Sequence, residues 1–251
     1  MYEEVDLEKI INIAKIAGEV IMEIYNKDFF IEYKDDNSPL TEADLKSNEI
    51  ICSKLEKLYP NIPILSEENR EVDYNERKDW KVFWLIDPID GTKEFIKKNG
   101  EFTVNIALVE NDTPVLGVVY APVLDEMYVA KKGLGAFKNG VKLPLVKNES
   151  PKELLHVVAS KSHLSQETQK FIDNLETKRV EQISKGSSLK LCMVAEGIAD
   201  IYPRLAPTME WDTAAAHAIV LESGKEVIQF ESKEALVYNK ENLLNPWFIV
   251  K

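Results

Sequence analysis

Cysteine is nearly missing from this chain: of 251 residues only Cys52 and Cys192 are cysteines, with no CxxC and no Cys/His set at zinc-ligand spacing. That excludes a disulfide framework and a structural zinc site, and it makes the reducing cytoplasm the expected location. Positive charge is also short, with 31 Lys and Arg against 43 Asp and Glu and a formal net charge of −12. A nucleic-acid duplex needs a basic face that neutralises phosphates and releases counterions, so no nucleic-acid partner is expected. A small anionic ligand is still compatible with this charge if bound cations reverse the local sign. No apolar run is long enough for a transmembrane segment, and the opening residues MYEEVDLEKIINIAKIAGEV begin acidic, unlike an export signal. Internal repeats and low-complexity tracts are absent too.

What is present reads as an ordered chain able to bury a sizeable core without staples. Leu7, Ile10, Ile11, Ala14, Ala17, Val20, Ile21 and Ile24 recur at helical spacing and predict an amphipathic helix over 5–24. A second helix is expected from Glu42 to Leu58, with Thr41 as its cap and Glu42 and Asp44 in its first turn. From Val82 to Lys132 the pattern changes to strands: VFWLID, FTVNIALVE, VLGVVYAP and EMYVAKK, followed by an Asn139-Gly140 hairpin. Strands so closely spaced pair antiparallel, which predicts a meander covered on one side by the two helices. After Pro151 strand and helix alternate: HVVAS, a helix over 166–175, RVEQIS, a helix from Ser187 to Glu196, ADIYP, a helix starting at Trp211, and EVIQF. The expected organisation is an N-terminal α+β part over 1–150 and a smaller C-terminal α/β part over 151–251, packed as layers that share a cleft.

Acids stand at the ends of elements in four separated segments: SPLTEAD with Asp44, ILSEEN with Glu67 and Glu68, WLIDPIDGT with Asp87 and Asp90, and EWDTAA with Asp212. Any one of them taken alone reads as a cap, a turn residue or a solvated side chain. WLIDPIDGT is different, because an apolar strand runs into two carboxylates around a stiff Pro88, and Gly91 then permits a sharp turn. Two acids held so close repel unless a proton or a cation lies between them. Oxygen ligands with no Cys or His nearby favour magnesium or another hard divalent ion.

DPIDGT, the upstream SEE and the downstream WD closely resemble the lithium-sensitive phosphatase family, which includes inositol monophosphatase and the bisphosphate nucleotidases. The match spans most of the chain. The resemblance implies an αβαβα sugar-phosphatase sandwich and two or three magnesium ions. Glu67, Asp87 and the Ile89 carbonyl would hold one ion, and Asp87, Asp90 and Asp212 a second. Asp44 and Thr92 would be the catalytic pair that orients and deprotonates the attacking water, with Glu68 supporting the ligands. In this family homodimers are common, so a homodimer is the assembly the resemblance suggests.

GTKEFIKKNGEFTVNIAL, SKSH and GSSLKLCMVAEGIADIYPR resemble the nucleotidase branch more than the inositol enzymes, where GTxNFVH usually follows the paired acids. By that resemblance the substrate is a small phosphorylated nucleotide. His163, Ser187, Lys190 and Arg204 would contact it, Asp212 would lie near its sugar, and the backbone N–H groups of Gly91 and Thr92 would cradle the phosphate to be cleaved. His156 and His217 read as structural. Ala206 and Ala216 stand where many relatives carry glycine, and the first of these changes bears on the loop after Arg204. Inositol monophosphate and fructose 1,6-bisphosphate are the alternative substrates on this scaffold, and a phospho-ligand binding protein without turnover is the alternative of another class.

Overall fold

The computed structural model describes residues 2–33, 39–69, 72–146, 154–160, 164–176 and 179–251. The expected boundary near residue 150 and the candidate ligand contact His163 both lie outside the described residues.

Helix α1 (Leu7–Tyr25) starts on Asp6, whose side chain accepts the Glu8 N–H, and buries the stripe Ile10, Ile13, Ala14, Ala17 and Ile21. A short antiparallel ribbon follows, β1 (Ile31–Tyr33) with β2 (Pro39–Thr41), which the sequence pattern did not reveal. Helix α2 (Glu42–Leu58) opens with a complete capping box between Thr41 and Asp44, at the predicted position. Then come β3 (Ile64–Ser66), a 3₁₀ turn at Glu67–Asn69, α3 (Tyr74–Arg77), β4 (Val82–Asp90), α4 (Thr92–Ile96) and the strands β5 (Thr103–Glu110), β6 (Thr113–Ala121), β7 (Glu126–Lys131), β8 (Gly135–Lys138) and β9 (Val141–Lys142).

Among the described residues β3 to β9 form one sheet in sequence order. The predicted antiparallel meander holds from β4 to β9, but β3 joins parallel to β4, pairing Ser66 with Ile86. A parallel neighbour needs a crossover connection, which the segment containing α3 provides.

Both faces of this sheet are covered: α1 and α2 lie on one side, as the pattern predicts, and a second layer lies on the other, as the sandwich implied by the resemblance requires. Trp84, Ile86, Val104, Ile106 and Leu108 pack against α1 and α2, while the alternate residues Phe83, Leu85, Ala107 and Val109 belong to a second apolar cluster behind the sheet. That double burial explains why FWLI runs apolar instead of alternating with polar residues.

The covering on the second face comes from α6 (Leu189–Glu196) and α7 (Ala214–Glu222), reached after β10 (Leu154–Ser160), α5 (Gln166–Asp173) and β11 (Arg179–Lys185). Strand β12 (Tyr202–Arg204) lies between α6 and α7 in sequence, and β13 (Val227–Gln229) and β14 (Phe248–Val250) follow. Helix α7 approaches so closely that a Cβ on Gly117 of β6 would sit 2.0 Å from the Ala215 carbonyl oxygen. Only glycine fits there.

Strands β10 and β11 are parallel, β12–β14–β13 are antiparallel, and a parallel bridge between Val157 and Ile201 joins the two groups. Val158 of β10 faces the cluster containing α6 and α7, whereas Val157 and Ala159 pack with Ile172 of α5. The layers are therefore helices, sheet, helices, sheet and helix, as the resemblance implied. Helix α7 begins at Ala214, later than its expected start at Trp211, and β14 was not foreseen. Among the described residues no helix is long and apolar enough to cross a membrane.

Candidate active site

The site is built around an irregularity in β4. Asp87 pairs with Asn105 and Asp90 with Thr103, so three steps along β4 match two along β5. One extra residue of this kind reverses the alternation of a strand. Asp87 and Asp90, which a regular strand would send to opposite faces, both line the same cleft. The turn is fixed from two directions: the Ile89 N–H donates to Asp87 Oδ1 at 3.0 Å, and Ser47 Oγ of α2 donates to the Pro88 carbonyl at 2.9 Å.

Because β3 runs parallel to β4, it ends at the same edge and delivers Glu67 beside Asp87. Asp212 arrives from the turn before α7, where the Met209 N–H donates to its Oδ2 at 2.8 Å. Carboxylate oxygens of Glu67, Asp87 and Asp212 all lie within 4.8 Å of one another, a group able to hold a metal ion. The donors are oxygen throughout, as a hard divalent cation requires.

The electrostatics agree with that fit. Burial, and then the charges of Glu67, Asp90 and Asp212, hold Asp87 well above the usual carboxylate range. Burial, reinforced by Asp90 and Glu67, does the same to Asp212. Asp90 is pushed up to about 6, chiefly by burial, against the opposing pull of Lys190 and a hydrogen bond from the Ser188 N–H. Acids crowded in this way need protons or cations among them.

Asp44 is not in the cleft wall but reaches it through Thr92. Thr92 Oγ1 donates to Asp44 Oδ1 at 3.2 Å and lies 3.4 Å from the Ile89 carbonyl oxygen. The other oxygen of Asp44 accepts the Thr41 hydroxyl at 2.6 Å and the Thr41 N–H at 2.8 Å. Burial raises the Asp44 carboxyl to about 6 even so. Gly91, in the left-handed region with φ of 92°, makes the turn from β4 into α4 and places Thr92 at the helix start.

The opposite wall comes from the C-terminal part. Lys190 is buried and donates to the Ser187 carbonyl; burial lowers its ammonium to about 8, although Asp90 pulls the other way. Arg204 on β12 donates from Nη2 to the Pro207 carbonyl at 2.7 Å, and its Nε has no hydrogen-bond partner among the described residues. Ser188 binds this wall to the sheet: its hydroxyl donates to Asn105 Oδ1 at 2.8 Å and lies 2.8 Å from Thr103 Oγ1.

Between the walls lies a cleft of about 440 Å³, lined by Glu67, Asp87, Ile89, Asp90, Gly91, Thr92, Ser187, Lys190, Arg204 and Asp212. The structure thus gathers on this cleft every described residue expected to hold a cation or touch the substrate, with Asp44 one hydrogen bond behind Thr92; Glu68, expected to support the ligands, does not line it. Glu94, Tyr202, Thr208 and Phe248 also line it, and sequence reasoning gave none of them a role. Glu94 and Tyr202 fall inside segments that carried the resemblance, which was the available signal. Ala206, flagged as a departure, is part of the wall. His217 is buried against the Tyr238 hydroxyl at 2.9 Å, and burial lowers it to about 3, in keeping with a structural role.

The model of the inositol monophosphatase family matches residues 3–247, and the chain belongs to that family. Within it, the 3′(2′),5′-bisphosphate nucleotidase CysQ of Salmonella typhimurium is 46% identical, over 97% of this chain and 98% of that protein. The crystal structure of CysQ from Bacteroides thetaiotaomicron, a bacterial member of the same family, superposes with a TM-score of 0.87 at 47% identity, covering 98% of this chain and 96% of that one. The Thermotoga maritima IMPase superposes with a TM-score of 0.78 at 30% identity, over 96% and 89% of the two chains.

Proposed function

We propose that this chain is a magnesium-dependent 3′(2′),5′-bisphosphate nucleotidase, which removes the 3′(2′)-phosphate of adenosine 3′(2′),5′-bisphosphate to give AMP and phosphate. The observation that carries the reading is the bulged end of β4, where Asp87 and Asp90 share one cleft with Glu67 and Asp212 and face Lys190 and Arg204 across it. The CysQ relatives supply the nucleotide, since their likeness covers nearly the whole of both chains.

Glu67, Asp87, Asp90, Asp212 and the Ile89 carbonyl would hold two or three magnesium ions. Bound magnesium neutralises charge on the phosphoryl group and lowers the pKa of water. The protein's own groups do the rest. Thr92 orients the attacking water, and the Thr92–Asp44 pair takes its proton as the new O–P bond forms and the bond from phosphorus to the ribose oxygen breaks, that oxygen taking a proton from solvent in the cleft. The N–H groups at the start of α4 face the phosphoryl oxygens. Lys190, Arg204 and Ser187 take the phosphate that is not cleaved, for which a charge-assisted donor set is needed.

Phosphate release from adenosine 3′,5′-bisphosphate, inositol 1-phosphate and fructose 1,6-bisphosphate, run in parallel, tests the reading. Preference for the nucleotide is expected. Preference for inositol 1-phosphate keeps the acidic site and removes Lys190 and Arg204 from the substrate contacts, preference for fructose 1,6-bisphosphate keeps both and removes the nucleoside, and release from none removes the enzymatic reading.

A further inference from the structure

Outside the cleft, on the far side of the Asp212 turn, lies a buried polar network that the chemistry above does not use. Glu210, two residues before Asp212, is fully buried. Its carboxylate accepts the Asn239 N–H at 2.7 Å, the Lys240 N–H at 3.0 Å and Lys240 Nζ at 2.5 Å. The same strap, residues 238–245, grips the other flank of the turn. Asn245 donates its side-chain amide to the Met209 carbonyl at 2.8 Å and to Thr213 Oγ1 at 3.1 Å, and its N–H to the Thr208 carbonyl at 2.8 Å. Met209, held in this way, is the residue whose N–H donates to Asp212 Oδ2.

The strap is itself anchored from the N-terminal part. Arg77 of α3 is buried, and its guanidinium donates to Asn239 Oδ1 at 2.9 Å, the Lys240 carbonyl at 2.7 Å and the Glu241 carbonyl at 2.9 Å. One continuous network therefore connects α3, which follows the Glu67 segment, to the turn that presents Asp212.

A buried carboxylate costs free energy unless it is paired, and an apolar residue would fill the same space without that cost. What a carboxylate adds is direction: two backbone N–H groups and an ammonium must all point at it. Once ionised, as cation binding requires, Glu67, Asp87 and Asp212 repel one another, so a turn held only by apolar packing would be free to swing Asp212 outward. We propose that Glu210 is a positioning residue for cation binding, locking the 238–245 strap onto the 208–213 turn so that Asp212 faces Glu67 and Asp87 before any cation arrives. The inference rests on the metal-site reading and adds to it a residue that touches neither cation nor substrate.

The test is direct Mn²⁺ binding, followed by electron paramagnetic resonance, to wild type and to Glu210→Gln, with the unfolding temperature of each recorded in chelator. Loss of a side chain that orients a ligand weakens metal binding by about 10- to 100-fold, and that loss is expected of E210Q. Saturating Mn²⁺ should restore kcat to near the wild-type value, which a general loss of folding would not allow. Unchanged Mn²⁺ affinity in a folded E210Q overturns the proposal while leaving the metal site intact. Absence of Mn²⁺ binding by wild type overturns the metal-site reading and this inference with it. Should E210Q not fold, Lys240→Met removes only the ammonium: a smaller loss of affinity in the same direction supports the proposal, and no change overturns it.

Discussion

Thr92 Oγ1 lies 3.2 Å from Asp44 Oδ1, while the second oxygen of that carboxylate is occupied twice by Thr41. The capping box of α2 therefore leaves Asp44 a single direction in which to accept, and Thr92 stands in it. Acids near a helix start have an ordinary stabilising role, and here the same side chain does both jobs.

Thr92→Val keeps the shape of the side chain and removes its hydroxyl. A positioned acid–base group contributes about 100- to 10,000-fold, so kcat should fall by that order in steady-state phosphate release with KM little altered. A kcat close to wild type would take the Thr92–Asp44 pair out of the proton transfer.

Asp44 and Asp90 keep their protons up to about pH 6 in the folded, metal-free chain, whereas an unfolded aspartate loses its proton near about 3.9. The folded state thus binds more protons than the unfolded state between those values. Stability contributed by these groups is fully present below the unfolded value and lost as pH rises through the folded ones. Asp87 and Asp212, held higher still, extend the window upward. A cation replaces the protons and binds the ionised form. Denaturant unfolding with and without excess magnesium should accordingly show a stabilisation that grows as pH rises through about 6. A magnesium effect independent of pH would mean that these carboxylates do not share a cation.

Arg204 presents a buried guanidinium to the cleft and spends one donor on the Pro207 carbonyl. A hydrogen bond to a charged group contributes about 1.5–3 kcal/mol, so Arg204→Ala should raise KM for adenosine 3′,5′-bisphosphate by about 10- to 100-fold. A simple monoester, which has no second phosphate, should be affected much less. Equal effects on the two substrates would remove Arg204 from the phosphate that is not cleaved.

Much of this architecture was legible because it is local. The period of α1, the Thr41 cap and the Asn139-Gly140 hairpin are each set by neighbouring residues, and they fall where the pattern placed them. Asp87 and Asp90 were legible for the same reason, since a rigid turn and a buried strand are written around them. The convergence of Glu67 and Asp212 on that turn was not, because spacing says nothing of the parallel pairing of β3 with β4 or of the fold-back of α7. Family resemblance supplied it. The second cover of the sheet likewise came from the resemblance and not from the strand pattern, because a one-sided cover explains the same hydrophobic run in a single strand. Glu210 and Arg77 left no signal at all, being single charges in mixed segments whose partners lie at residues 239–241.

Asp87 would hold the magnesium on which turnover depends, and a magnesium titration of phosphate release from adenosine 3′,5′-bisphosphate, by wild type and by a folded Asp87→Asn, tests this most directly. Expected is a wild type inactive in chelator and restored by magnesium, with D87N far below it at every concentration. Turnover by wild type in chelator, or retention by D87N of more than about a tenth of the rate, would contradict a metal-holding role for Asp87.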